Sequence, residues 1–127
     1  SGVDFLLIET MSDLREAKAA LLAARESTGL PVMVTMTFDE THVTPTGTDA
    51  ATAANVLASM GAFAVGANCS AGPEYMVEVV GRMAQVTRAP LLVQPYAGVP
   101  IVSAVNVRSW AAAARVGWPR TPSWSPP

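Results

Sequence analysis

The single cysteine, Cys69, lies in the stretch GANCSAGP. A thiol in that setting is a nucleophile, a metal ligand or small buried filler, and filler is the commonest fate of a free cysteine. Its surroundings favour chemistry. An apolar run precedes it, and Ser70, Gly72 and Pro73 follow in the order that opens a helix, whose N-terminal dipole favours a thiolate. A nucleophile wants a nearby base, and the only histidine is His42. A structural zinc site wants four ligands and a catalytic one three, so one Cys and one His complete neither. Glu9 closes the run DFLLIE. A carboxylate there could hold the ammonium group of an amino-acid substrate; a solvated strand-end charge is the plainer alternative. Thr35, Thr37, Asp39 and Glu40, followed by TPTGT at 44–48, bring hydroxyls and a glycine that suit a binding rim. From composition alone an ordinary β/α loop is the better account. In Gln94-Pro95-Tyr96-Ala97-Gly98-Val99-Pro100 two prolines around a glycine mark a rigid turn, for which structural duty is a sufficient account.

The elements that must position these residues recur four times. A short apolar run, a polar turn and a longer stretch with helical spacing follow one another, the unit of a β/α repeat. The runs are residues 4–9 (DFLLIE), 31–37 (PVMVTMT), 62–68 (AFAVGAN) and 90–95 (PLLVQP). They lack strand alternation, which predicts parallel strands covered by helices. Ser12 is expected to cap a helix reaching about Ser27, with Gly29 as its stop. Thr48 or Asp49 begins a second helix, from Ala50 to about Met60, ended by Gly61. Pro73 sits in the first turn of a third, with Glu74 favoured by the helix dipole, running to about Val86. The pattern β-α-β-α-β-α-β fits both a doubly wound sheet and part of a (β/α)8 barrel. On the barrel reading the chain is about half, since eight units take roughly 250 residues.

Composition narrows the class. The 127 residues are 50% hydrophobic and 14% charged, which describes a packed globular chain and not a disordered one; the β/α repeat makes it α/β. A net charge of −2, with basic residues scattered, offers no field for nucleic acid or an anionic membrane. No apolar run is long enough to span a bilayer, and the start Ser-Gly-Val-Asp is no secretory signal. One cysteine excludes an internal disulfide and makes a reducing cytoplasm the default.

In order along the chain, LLIETMSDLREAKAA, VMVTMTFDE, TGTD, GANCSAGPE and VQPYAGVP resemble successive blocks of the homocysteine S-methyltransferase family, over about residues 2–100. They are most similar to its cobalamin-dependent methionine synthase branch. The resemblance implies a (β/α)8 barrel, of which residues 1–104 form a central part with four β/α units. It implies a zinc ion held by three cysteine thiolates: one in an asparagine-cysteine motif, matched by Cys69, and two in a Gly-Gly-Cys-Cys pair after the last strand. Homocysteine joins the zinc as its thiolate and attacks a methyl group, carried in the methionine synthase branch by methylcobalamin on another domain. The implied partners are homocysteine and the cobalamin and folate domains of the parent protein. The carboxylate of the family's Ile-Glu-Thr block holds the substrate amino group, and Glu9 matches it. Asn68 matches the asparagine beside the zinc cysteine and lines the same pocket.

The sequence departs from that pattern in four places. The Gly-Gly-Cys-Cys pair is absent, and the first barrel strands are expected before Ser1. Tyr96 stands where the family usually has Asn, and Thr41-His42-Val43 replaces a turn that usually contains Gly and Arg. The first two departures leave the zinc site incomplete, so the isolated chain is expected to be an inactive fragment. Residues 105–127 read as an irregular tail, disordered or out of frame, since two of the three Trp and four of the ten Pro fall in the last ten residues. Trp110 to Ala114 could be encoded as TGG GCG GCT GCT GCG, which two bases later reads Gly-Gly-Cys-Cys. The competing classes are a non-catalytic remnant or small α/β interaction domain, and a different barrel enzyme with Cys69 as nucleophile.

Overall fold

The computed structural model describes residues 2–70 and 72–95. Their order is β1 (Leu6–Met11), α1 (Leu14–Ser27), β2 (Val32–Met36), α2 (Ala50–Ser59), β3 (Ala64–Cys69), α3 (Pro73–Ala84) and β4 (Leu91–Pro95). Four strands alternating with three helices are the repeat that the sequence predicts. The expected irregular tail and most of the QPYAGVP turn lie outside the described residues.

The strands form one parallel sheet in the order β1-β2-β3-β4. This order decides between the two architectures that the pattern left open. A right-handed crossover places its helix on a fixed side of the sheet. A doubly wound sheet must therefore reverse its strand order to cover both faces. Here the order never reverses, and α1 packs on α2 and α2 on α3. The helices make one outer layer around an arc of sheet, as in part of a (β/α)8 barrel.

The core lies between that layer and the sheet. Val32, Val34 and Met36 of β2, and Val65 and Ala67 of β3, belong to it. So do Ala17 and Leu21 of α1, Ala53, Ala54 and Leu57 of α2, and Met76, Val79 and Met83 of α3, at spacings of three and four. Each of the larger side chains contributes about 1.5–3 kcal/mol by leaving water. Because strand side chains alternate, Met33 and Thr35 of β2 and Ala64, Gly66 and Asn68 of β3 take the other face. Gly66 is demanded there by close approach: a Cβ at this position would lie 1.7 Å from the Leu92 carbonyl oxygen.

Local chemistry moves several boundaries. Helix α1 is capped by Asp13, not Ser12; the Asp13 carboxylate accepts from the Arg15 N–H at 2.7 Å. The Arg15 guanidinium beside it holds the Asp13 carboxyl below its ordinary value. The helix stops at Thr28 and not through a left-handed Gly29: Thr28 donates both its N–H and its hydroxyl to the Ala24 carbonyl. Helix α2 does end as expected, with Gly61 at φ +88°. Helix α3 is two residues shorter than expected, and Val86 closes a turn on the Met83 carbonyl. No described helix is long and apolar enough to cross a membrane.

Asp49 caps α2, accepting from the Thr52 N–H at 3.0 Å and from the Thr52 hydroxyl. Those bonds, the hydroxyl's first, hold its carboxyl below the ordinary value. A depressed folded-state value adds stability that is complete above the unfolded value and is lost as pH falls through the folded one. Asp49→Ala is expected to cost about 1 kcal/mol at neutral pH. The difference should shrink in strong acid, where the wild-type cap is protonated, and urea unfolding at the two pH values measures it. A cost that grows on acidification would contradict the assignment.

Candidate functional site

The C-terminal ends of the strands carry most of the polar residues singled out from the sequence. Strand β1 does not end at Glu9 as expected. It continues to Met11 through an irregularity, its register with β2 shifting between Ile8 and Met11. Thr10 sits at that point with φ +59°. Left-handed backbone is uncommon for any side chain and an outlier for a β-branched one, costing about 1–2 kcal/mol. Glu9 is exposed, and its carboxylate makes no ion pair or side-chain hydrogen bond among the described residues.

Cys69 ends β3 as expected and is half-buried. It and Ser70 are also left-handed, at φ +58° and +63°. Three strained non-glycine residues thus gather at one end of the sheet. Such residues persist only where their surroundings over-determine them, and they concentrate at functional sites. Here the surroundings are polar. The Ser70 hydroxyl lies 2.9 Å from Thr37 Oγ1 and accepts from the Phe38 N–H at 2.9 Å. Asn68, on β3, accepts from the Thr10 N–H at 3.2 Å and donates from Nδ2 to Thr10 Oγ1. Thr35 Oγ1, on the intervening β2, also lies 3.4 Å from the Thr10 nitrogen. Asn68 Nδ2 reaches Cys69 Sγ at 3.4 Å.

The fold therefore brings together the neighbourhoods of all three predicted site residues. Thr10 follows Glu9, Asn68 precedes Cys69, and Thr10 and Asn68 are bonded to each other. Thr10 stands in the Ile-Glu-Thr block, but nothing in the sequence marks it for left-handed backbone. A threonine is an unfavourable choice for left-handed backbone, so its type argues against the conformation it adopts.

His42 is not brought to Cys69. It stacks on Tyr75 of α3, ring centroids 4.9 Å apart and planes within 3°. Its Nε2 lies 3.0 Å from Glu78 Oε2, a close contact without the alignment of a hydrogen bond. Tyr75 donates its hydroxyl to the Asp39 carbonyl. Burial pushes the Tyr75 phenol above its ordinary value, and the Thr41 hydroxyl holds the Asp39 carboxyl below its own. This cluster fastens the β2–α2 loop to α3. The TPTGT stretch closes on itself as well: the Thr44 hydroxyl accepts from the Thr48 N–H and the Thr44 carbonyl from the Gly47 N–H.

As for a metal, no three His, Cys, Asp or Glu side chains assemble among the described residues. Cys69 is a single thiol donor, so the residues present do not fit a complete zinc site.

Set beside known proteins, the chain matches a model of the family described as homocysteine S-methyltransferase over residues 1–121. It is 32% identical over 108 residues to methionine synthases of Mycobacterium leprae and Mycobacterium tuberculosis, covering 81% of this chain and 9% of each relative. It is also 32% identical over 100 residues to homocysteine S-methyltransferase 3 of Arabidopsis thaliana, covering 77% of this chain and 28% of the relative. Its fold is similar to the crystal structure of the homocysteine methyltransferase MmuM from Escherichia coli in its apo form. The TM-score is 0.65 and the identity 24%, over 74% of this chain and 36% of that one.

Proposed function

The chain belongs to the homocysteine S-methyltransferase family, and from that footing we propose that it is part of the homocysteine-binding barrel of a methionine synthase, spanning a small share of that protein's length. In the reaction the homocysteine sulfur bonds to a methyl carbon as that carbon's bond to its carrier breaks, and the thiol proton passes to solvent. The carrier is methylcobalamin, held with the folate site on domains outside this chain, in the cytoplasm. Residues 1–104 are the barrel part, and 105–127 do not share its pattern.

The observation that supports the reading is the bonded bridge between Thr10 and Asn68, the chain neighbours of Glu9 and Cys69. Within it Glu9 binds the substrate ammonium, Asn68 lines the pocket, and Cys69 supplies one zinc thiolate. A carboxylate and a thiolate on separate strands suit an amino acid that carries its own sulfur. The remaining thiolates must come from elsewhere, because the sequence holds no second cysteine. A non-catalytic role draws its support from that same count.

NMR titration of the chain with L-homocysteine tests the reading. Glu9→Gln is expected to weaken binding by about fivefold, the upper range for an exposed ion pair, with the fold unchanged. Unaltered binding in that variant, or none in the wild type, would remove Glu9 from the site.

A further inference from the structure

Asn68 is 2% exposed, and its carboxamide is almost fully engaged. The Thr10 N–H can only donate, so Oδ1 faces it and the orientation of the amide is fixed. One Nδ2 hydrogen then serves Thr10 Oγ1 and the other Cys69 Sγ, leaving a single carbonyl lone pair free. A grip at two points on one residue, reaching across β2, is not something the sheet ladder requires. It falls on the residue whose backbone is least content: Thr10 is β-branched, left-handed and sited where the β1–β2 register slips.

We infer that Asn68 is a positioning residue, which holds the bend at Thr10 and thereby fixes the Glu9 carboxylate relative to the Cys69 sulfur. The grip stands on the hydrogen bonds alone; its purpose rests on the roles proposed above for Glu9 and Cys69. Without the grip, Thr10 should relax toward the ordinary extended backbone of a strand. Because successive strand residues face opposite sides, any turn of the chain at Thr10 re-aims Glu9.

The test uses the full chain and two readouts. The first is the one-bond Cα–Hα coupling of Thr10, which is sensitive to a positive φ. The second is the preference for L-homocysteine over 4-sulfanylbutanoate, the same thiol acid without its amino group, by NMR titration. Asn68→Ala is expected to move the Thr10 coupling to that of extended backbone and to erase a preference of about threefold to fivefold. Asn68→Asp keeps the acceptor for the Thr10 N–H but has neither donor, and serves where Asn68→Ala does not fold; an intermediate coupling is expected. Adding Thr10→Gly to Asn68→Ala should regain part of the preference, since glycine takes a left-handed φ without strain. A purely structural role would weaken both ligands equally and leave their ratio alone.

A Thr10 that keeps its positive φ in both Asn68 variants overturns the inference. So does a preference lost in Glu9→Gln but intact in Asn68→Ala, which would leave the Glu9 role standing. A wild-type chain that does not prefer homocysteine overturns the Glu9 role and the purpose of the grip together.

Discussion

Gly66→Ala should unfold the chain. Gly66 pairs with Leu92 between β3 and β4, and an added Cβ would sit 1.7 Å from the Leu92 carbonyl oxygen and 2.7 Å from its carbon. Both atoms are backbone, so no side chain can swing aside. To clear a methyl, β4 would have to move by more than an ångström, and the ladder from Val65 to Pro95 would part. Overpacking a core usually costs about 1–3 kcal/mol, and displacing a strand exceeds that range. A total stability of about 5–15 kcal/mol leaves little to spare. Gly81→Ala is the control. Gly81 lies in α3 with open space where its Cβ would be, and alanine there should add about 0.5–1 kcal/mol. Circular dichroism with urea unfolding measures both. A Gly66→Ala chain that melts like wild type would refute the close approach of the two strands.

Zinc supplied at one equivalent should not survive dialysis against the chain, and the chain alone should methylate no homocysteine. The argument is a count of donors. The sequence has one cysteine, and its one histidine is committed to Tyr75 and Glu78. A catalytic zinc takes three protein ligands. Disturbing only the partners of such ligands already lowers affinity by about 10–100-fold, so the absence of two ligands should exceed that. Metal analysis after dialysis, and a methyl-transfer assay, give the answer. Retention of one zinc per chain would overturn the assignment of Cys69 as one of three thiolates. So would loss of zinc binding on His42→Ala, because His42 would then be a ligand.

Much of the fold was legible along the chain. Four apolar runs, each followed by a stretch of helix formers with a cap or a stop, specified the β/α repeat. Asp49, Gly61 and Pro73 marked helix ends by chemistry that acts within one turn. Where the expectation slipped, the competition was equally local: Ser12 and Asp13 are both good caps, and Thr28 satisfied the end of α1 before Gly29 could. Cys69 and Glu9 were also visible, because a lone thiol and a lone carboxylate after apolar runs are conspicuous by type.

What the sequence by itself determined, then, was the set of elements and their ends, since propensity, capping and hydrophobic period depend on near neighbours; Glu9 and Cys69 it offered as candidates. Only the tertiary structure decided that the strands run in the order β1-β2-β3-β4, and so curve as a barrel arc. Only it showed Gly66 pressed against Leu92, and His42 stacked away from Cys69. The bridge between Thr10 and Asn68 belongs there too. Its partners are 58 residues apart, and the left-handed turn it holds is one that threonine disfavours. Local preference cannot announce a conformation that is imposed against it by a hydrogen bond from a distant strand.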